Sequence, residues 1–128
     1  MCEDAGAMLR DYLLTLTEVT DEAGDHIYTR GDAPDGPQAW GVLVEEVDAS
    51  RSANLEMRVA LVQTTVFSAD REWNRTVAGI LVTNVGRFAG FMGETWTTVS
   101  HENEIETSEQ IGGVYRWAYA IDLTLRYK

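Results

Sequence analysis

The chain has 128 residues, with ten Lys plus Arg against 21 Asp plus Glu, for a net charge of −11. A length near the common domain size argues for one domain, residues 1–128, able to bury roughly two-thirds of its unfolded surface. The acidic balance argues against classical nucleic-acid binding, which needs surplus positive charge to displace phosphate counterions, and against docking on anionic lipid.

One cysteine, Cys2, makes no internal disulfide, and no Cys/His cluster has zinc spacing. A reduced, cytoplasmic site of synthesis is therefore expected. Glu3 and Asp4 precede any apolar run, and no apolar stretch reaches the roughly 18–20 residues that span a bilayer. Neither a leader nor a membrane span is expected.

From Glu3 to about Leu16, Ala5, Met8, Leu9, Tyr12, Leu13 and Leu16 fall at helical spacing, which predicts a helix with one apolar face. Thr17 to Asp25 is polar and reads as a loop with room for a short helical turn. His26-Ile27-Tyr28 reads as a short strand. Gly31-Asp32-Ala33-Pro34-Asp35-Gly36-Pro37 packs turn-forming residues into seven positions, the clearest loop in the chain. Ala39 to Val47 reads as a strand, with Asp48 to Ala53 as a hairpin connection. Asn54 to Ser68 is a longer strand in which Leu55, Met57, Val59, Leu61 and Phe67 share one parity, broken by Val62 and Val66.

Asp70 can cap a helix running to about Phe88, with Trp73, Val77, Ile80, Leu81 and Val85 at helical spacing and Gly86 or Gly90 near its end. A strand from Glu94 to Glu102 follows, then an acidic stretch holding Glu102, Glu104, Glu106 and Glu109, broken by Gly112-Gly113. The last segment alternates throughout. Tyr115, Trp117, Tyr119, Ile121, Leu123, Leu125 and Tyr127 share one parity; Arg116, Asp122, Thr124 and Arg126 take the other. A period of two predicts one buried and one wetter face, with the aromatics in the core. The fold expected is α+β: a mostly antiparallel sheet with an N-terminal helix and one long central helix packed on it.

Chemistry is sparse. His26 sits beside Asp25 and His101 beside Glu102, but neighbours in a strand point to opposite faces, so neither pair is set up to bond. Asp32 and Asp35 share a tight loop without the ligand pattern of a calcium site. Gly86, Gly90 and Gly93 follow a helix instead of opening one, so they make no phosphate loop. In a strand Glu102, Glu104 and Glu106 would face one way and repel unless solvated or paired. Nothing calls for a cofactor or a metal. A domain of this kind without a catalytic constellation reads as a structural or binding module.

From His26 onward the order of residues resembles the tail-completion, or tail-terminator, family of long-tailed bacteriophages. The likeness is carried by Asp25-His26-Ile27-Tyr28 with Ala33-Pro34-Asp35-Gly36-Pro37 leading into Trp40-Gly41-Val42-Leu43-Val44. It continues in Arg58 to Ser68, where Val66-Phe67-Ser68-Ala69 passes into the helix from Asp70, and in the closing strand Tyr115 to Tyr127. The chain departs from the family at Ala39-Trp40, and Phe91 to Gly113 carries little of its signal.

The resemblance implies a virion structural protein, made in the host cytoplasm and forming a homo-oligomeric ring, commonly of six copies, at the head-proximal end of the tail. Its implied partners are further copies of itself, the tail tube protein and the head connector or neck protein. DNA would pass through the lumen without specific binding, repelled by acidic walls. The contact residues expected are Asp32, Pro34, Asp35 and Pro37 in the loop, Glu102, Glu104, Glu106 and Glu109 in the acidic stretch, and Arg116 and Arg126 on the last strand. Another neck protein of the same architecture is the nearest alternative. From a different class stands a small enzyme or ligand-binding protein with a pocket between the long helix and the sheet, using His101 and nearby glutamates.

Overall fold

The computed structural model describes residues 4–36, 38–51 and 57–127. Cys2, Pro37 and the first part of the strand expected from Asn54 lie outside these described residues. Helix α1 spans Ala5–Leu13 and begins where Asp4 accepts a hydrogen bond from the Ala7 amide (3.0 Å). Its apolar face places Ala5, Met8, Leu9 and Leu13 in the core. Each large side chain buried in this way contributes about 1.5–3 kcal/mol.

Thr17–Ala23 forms a second helix, α2, ending at Gly24, where a loop with room for a short helical turn was expected. Seven residues with only Val19 and Ala23 buried are too few for their periodicity to stand out. Strand β1 is Ile27–Thr29, and β2 runs Gly41–Arg51, so it absorbs most of the expected connection. Gly41 is required at the entry to β2. Its φ is +146°, and a Cβ there would lie 2.6 Å from the His26 carbonyl oxygen.

Strand β3 spans Arg58–Ser68 and helix α3 spans Arg71–Val85, capped by Asp70 accepting from the Trp73 amide (3.2 Å). At 15 residues α3 is of ordinary length instead of the long central helix expected, stopping at Gly86 before Phe88. Ala89–Met92 forms a short strand, β4, that the sequence did not announce. Strand β5 covers Thr95–Ile111 and takes in the acidic stretch, and β6 covers Val114–Tyr127.

The six strands make one sheet in the order β1-β2-β3-β6-β5-β4. Only β1 and β2 run parallel; the remaining pairs are antiparallel. The α+β class stands. Val42, Val44, Ala60, Val62, Val66, Ile121, Leu123 and Leu125 point to one face, where they meet α1 and α3 in a single core. Val77, Leu81 and Val85 of α3 are at most 1% exposed. Close-packed core therefore fills the space between α3 and the sheet, where the enzyme alternative placed its pocket.

The opposite face carries Leu43, Leu61, Gln63, Thr65, Ala120, Asp122 and Thr124, and among the described residues no helix lies over it. Register slips at two bulges. Val47 is the extra residue on β2 and turns outward, 53% exposed, while Glu102 is the extra residue on β5.

Candidate assembly surface

The β5–β6 hairpin outgrows the rest of the sheet. Ser68 pairs with Trp117, the last register step between β3 and β6, whereas β5 and β6 continue pairing to Ile111 and Val114. Gly112 and Gly113, with φ of 59° and 81°, close the arm in a two-residue turn. From Asn103 onward β5 has β6 on one side, and among the described residues no strand on the other. On β2, β1 covers only Val42 to Val44, and the first turn of α1 lies against the backbone at Glu46, where a Cβ on Gly6 would come within 3.0 Å of the amide nitrogen. Beyond it, from Val47, no strand among the described residues lies on that outer edge.

The alternation in β6 is obeyed where apolar helix faces cover it and fails toward the arm, where α3 presents the polar residues of its first turns. Ile121, Leu123, Leu125 and Tyr127 are buried as expected. Tyr119 is half-buried and still packs against the core, whereas Trp117 is half-buried outside it and Tyr115 is exposed, so the core expected along this face ends at Tyr119.

Polar contacts hold the arm down instead. Glu106 accepts hydrogen bonds from Arg71 (2.7 Å) and Arg75 (3.0 Å), both on α3. Those bonds, the Arg71 one first, hold its carboxyl down at a pKa of about 2, against an ordinary 4.5. The Arg71 guanidinium also lies 4.3 Å over the Trp117 ring. Tyr119 donates to Glu104 (2.6 Å), and this bond, with burial, raises the phenol's pKa. Buried Asn74 donates to the Trp117 carbonyl (3.0 Å) and accepts from Ser68 Oγ (2.6 Å), tying the root of the arm to α3.

The expected contact residues thus divide. Arg116 bridges Glu109 (3.0 Å) and the Gly36 carbonyl (3.4 Å), lying 5.2 Å over Phe67, so it joins the arm to the loop containing Pro34 and Asp35. Asp32 accepts from the Thr29 hydroxyl (3.0 Å), which shapes that loop. Pro34 and Asp35 are exposed beside it. Arg126 stands at the other end of β6, donating to Ser100 (3.2 Å).

The three glutamates do not share a solvated face. Glu102 sits in the bulge, while Glu104 and Glu106 keep cross-strand partners in Ile121 and Tyr119. Arg71 and Arg75, the cations that neutralise Glu106, escaped the sequence reading. Two arginines four apart on the first turns of a helix were the available signal.

The histidines do not build a catalytic group with their sequence neighbours. His101 Nε2 faces Glu104 (3.4 Å), while adjacent Ser100 takes the opposite face of the sheet. His26 Nδ1 bonds the Tyr28 hydroxyl (2.9 Å), and its Nε2 comes within 3.9 Å of Asp25, a closer approach than alternation along a strand predicts, because Asp25 lies in the turn before β1. Among the described residues no group of three or more His, Cys, Asp or Glu could hold a metal ion, and no helix is long and apolar enough to cross a membrane.

No protein-family model matches the sequence, and no curated protein matches it. Sixteen chains of solved structures do match. One is a chain from the virion of a native gene transfer agent particle, similar with a TM-score of 0.70 at 12% identity over 98% of this chain and 96% of that one. What the two chains share is a fold, from one end to the other.

Proposed function

We propose that this chain is a phage-type virion structural protein. It forms a homo-oligomeric ring at the head-proximal end of the tail, capping the tail tube and joining it to the head connector. The observation that carries the reading is the end-to-end fold likeness to a virion chain. The resemblance of His26 to Tyr127 to tail-terminator sequences agrees with it, as does a sheet with helices on one face only and open strand edges at β2 and β5. Such edges and faces are unfinished in a single copy and are completed by neighbours.

In this reading Asp32, Pro34, Asp35 and Pro37, the acidic arm and Arg116 meet neighbouring copies, the tail tube protein or the neck protein. DNA passes through the ring without specific binding, and no catalysis, cofactor or metal is called for. A net charge of −11 per copy makes assembly depend on salt, because like charges within a Debye length of about 10 Å repel at 0.1 M ionic strength.

Sedimentation of the purified chain across ionic strength tests this, together with localisation of the chain in assembled particles by electron microscopy. Salt-promoted rings and density at the head–tail junction are the expected results. Density elsewhere in the neck gives the place to the neighbouring alternative. A chain absent from particles overturns the reading.

A further inference from the structure

Four elements converge at the first turn of α3. Trp40, entering β2, stacks on His26 with 3.8 Å between ring centroids and 12° between planes. It meets Trp73 of α3 edge to face, at 5.5 Å and 87°. Glu22 from α2 and the capping Asp70 join the two indoles, with Ser68, around an open pocket of about 310 Å³. Trp40 remains 37% exposed, so this corner is surface and not core.

The corner is electron-rich and among the described residues holds no Arg or Lys of its own; its one basic ring, His26, lies flat on Trp40, bonds Tyr28 through Nδ1 and keeps Nε2 3.9 Å from Asp25. Asp70 commits Oδ1 to the Trp73 amide, and among the described residues Glu22 has no hydrogen-bond or ion-pair partner. Asp25 and Glu72 lie close in sequence and add negative charge. Arg71, the nearest arginine in sequence, is committed to Glu106 and the Trp117 ring. The positive end of α3 is already answered by Asp70 and Glu72, which leaves nothing to attract an anion. Indole faces beside carboxylates attract guanidinium and alkylammonium groups.

The geometry points to a binding site at Trp40, Trp73, Glu22 and Asp70 for a basic side chain, arginine or lysine, carried by a different protein. The choice of a foreign partner follows from charge. Within this chain Arg10, Arg30, Arg71, Arg75 and Arg116 are each paired with a carboxylate, and the whole still carries −11. A second copy brings mostly more acid to the corner, whereas a basic partner brings what it lacks. The site does not depend on where the chain sits in a particle, so its test stands apart from that of the ring.

The test follows the four indole N–H resonances by NMR while the full chain is titrated with a neutral peptide containing one arginine, and with the same peptide containing uncharged citrulline. The signals of Trp40 and Trp73, assigned by single Trp→Phe substitution, should move, saturating at about millimolar peptide. Citrulline should bind about five-fold more weakly or worse. The double variant Glu22→Gln with Asp70→Asn, in which asparagine still caps the helix, should weaken arginine binding by at least a similar factor with its other indole signals unchanged.

Three outcomes overturn the proposal. The first is that the two signals stay still up to about 20 mM arginine peptide. The second is that arginine and citrulline act alike. The third is that the two signals shift with protein concentration alone, which gives the corner to a second copy.

Discussion

The helix-covered body of the sheet and the β5–β6 arm use the same strands but hold together differently. In the body, one face of β2, β3 and the second half of β6 is sealed by α1 and α3, and the largest side chains there are nearly inaccessible. In the arm, ladder hydrogen bonds are joined by an ion-pair clamp, a cation over a ring and a buried asparagine. Apolar burial neither titrates nor is weakened by ionic screening, whereas charge pairs at a surface respond to both pH and ionic strength. The body is thus the stable base of the molecule, and the arm is the part that conditions can loosen.

The contrast breaks most readily in the body. Leu81→Ala or Leu123→Ala removes a side chain that is 1% exposed, and should cost about 2–5 kcal/mol in a urea unfolding experiment. Asn74→Ala acts on both regions at once. It leaves the Trp117 carbonyl without its side-chain donor and empties a buried position, so a loss of about 1–3 kcal/mol is expected by the same measurement.

Within the arm, Gly113→Ala forces an L-residue to φ of 81° at the turn, a strain of about 1–2 kcal/mol. Amide exchange from Ser108 to Trp117 should quicken while exchange in α3 and β3 stays slow. Glu106→Gln should leave the urea midpoint nearly unchanged, because the pair is exposed to solvent, yet quicken exchange in the same arm amides.

The smallest effect is that of acid. Glu106 has a depressed pKa, so the stability it supplies is complete above about pH 4.5 and fades as the pH falls toward about 2. The arm amides of the wild-type chain should lose protection across that window, and those of Glu106→Gln should not respond there.

Legibility in the sequence followed burial. Where a helix covers a strand, alternation is enforced, and Ile121 to Tyr127 could be read directly. In the arm, Tyr115 and Trp117 keep the same alternation with no core beneath them, so pattern alone misplaced them. The capped start of α3 at Asp70 was legible because a side-chain cap is a local event. Helix α2 and strand β4 were not, since seven and four residues are shorter than the periods that would announce them. The bulge at Glu102 cannot be read from one strand, because it exists only relative to β6. Four of the ten expected contact residues, the glutamates at 102, 104, 106 and 109, were visible as a charged run. The pairing of one of them, Glu106, with Arg71 and Arg75 is tertiary and needed the fold.

The exposed flank of β5 has one more consequence. Among the described residues no strand answers the row of backbone donors and acceptors on the outer side of β5 from Asn103 onward, an edge that any extended peptide could join. Glutamates at 102, 104, 106 and 109 line that row. Glu106 and Glu109 are answered by arginines and Glu104 by Tyr119, so the charge left over is that of exposed Glu102 in the bulge, set where the row begins and unfavourable to an acidic or apolar strand laid along it.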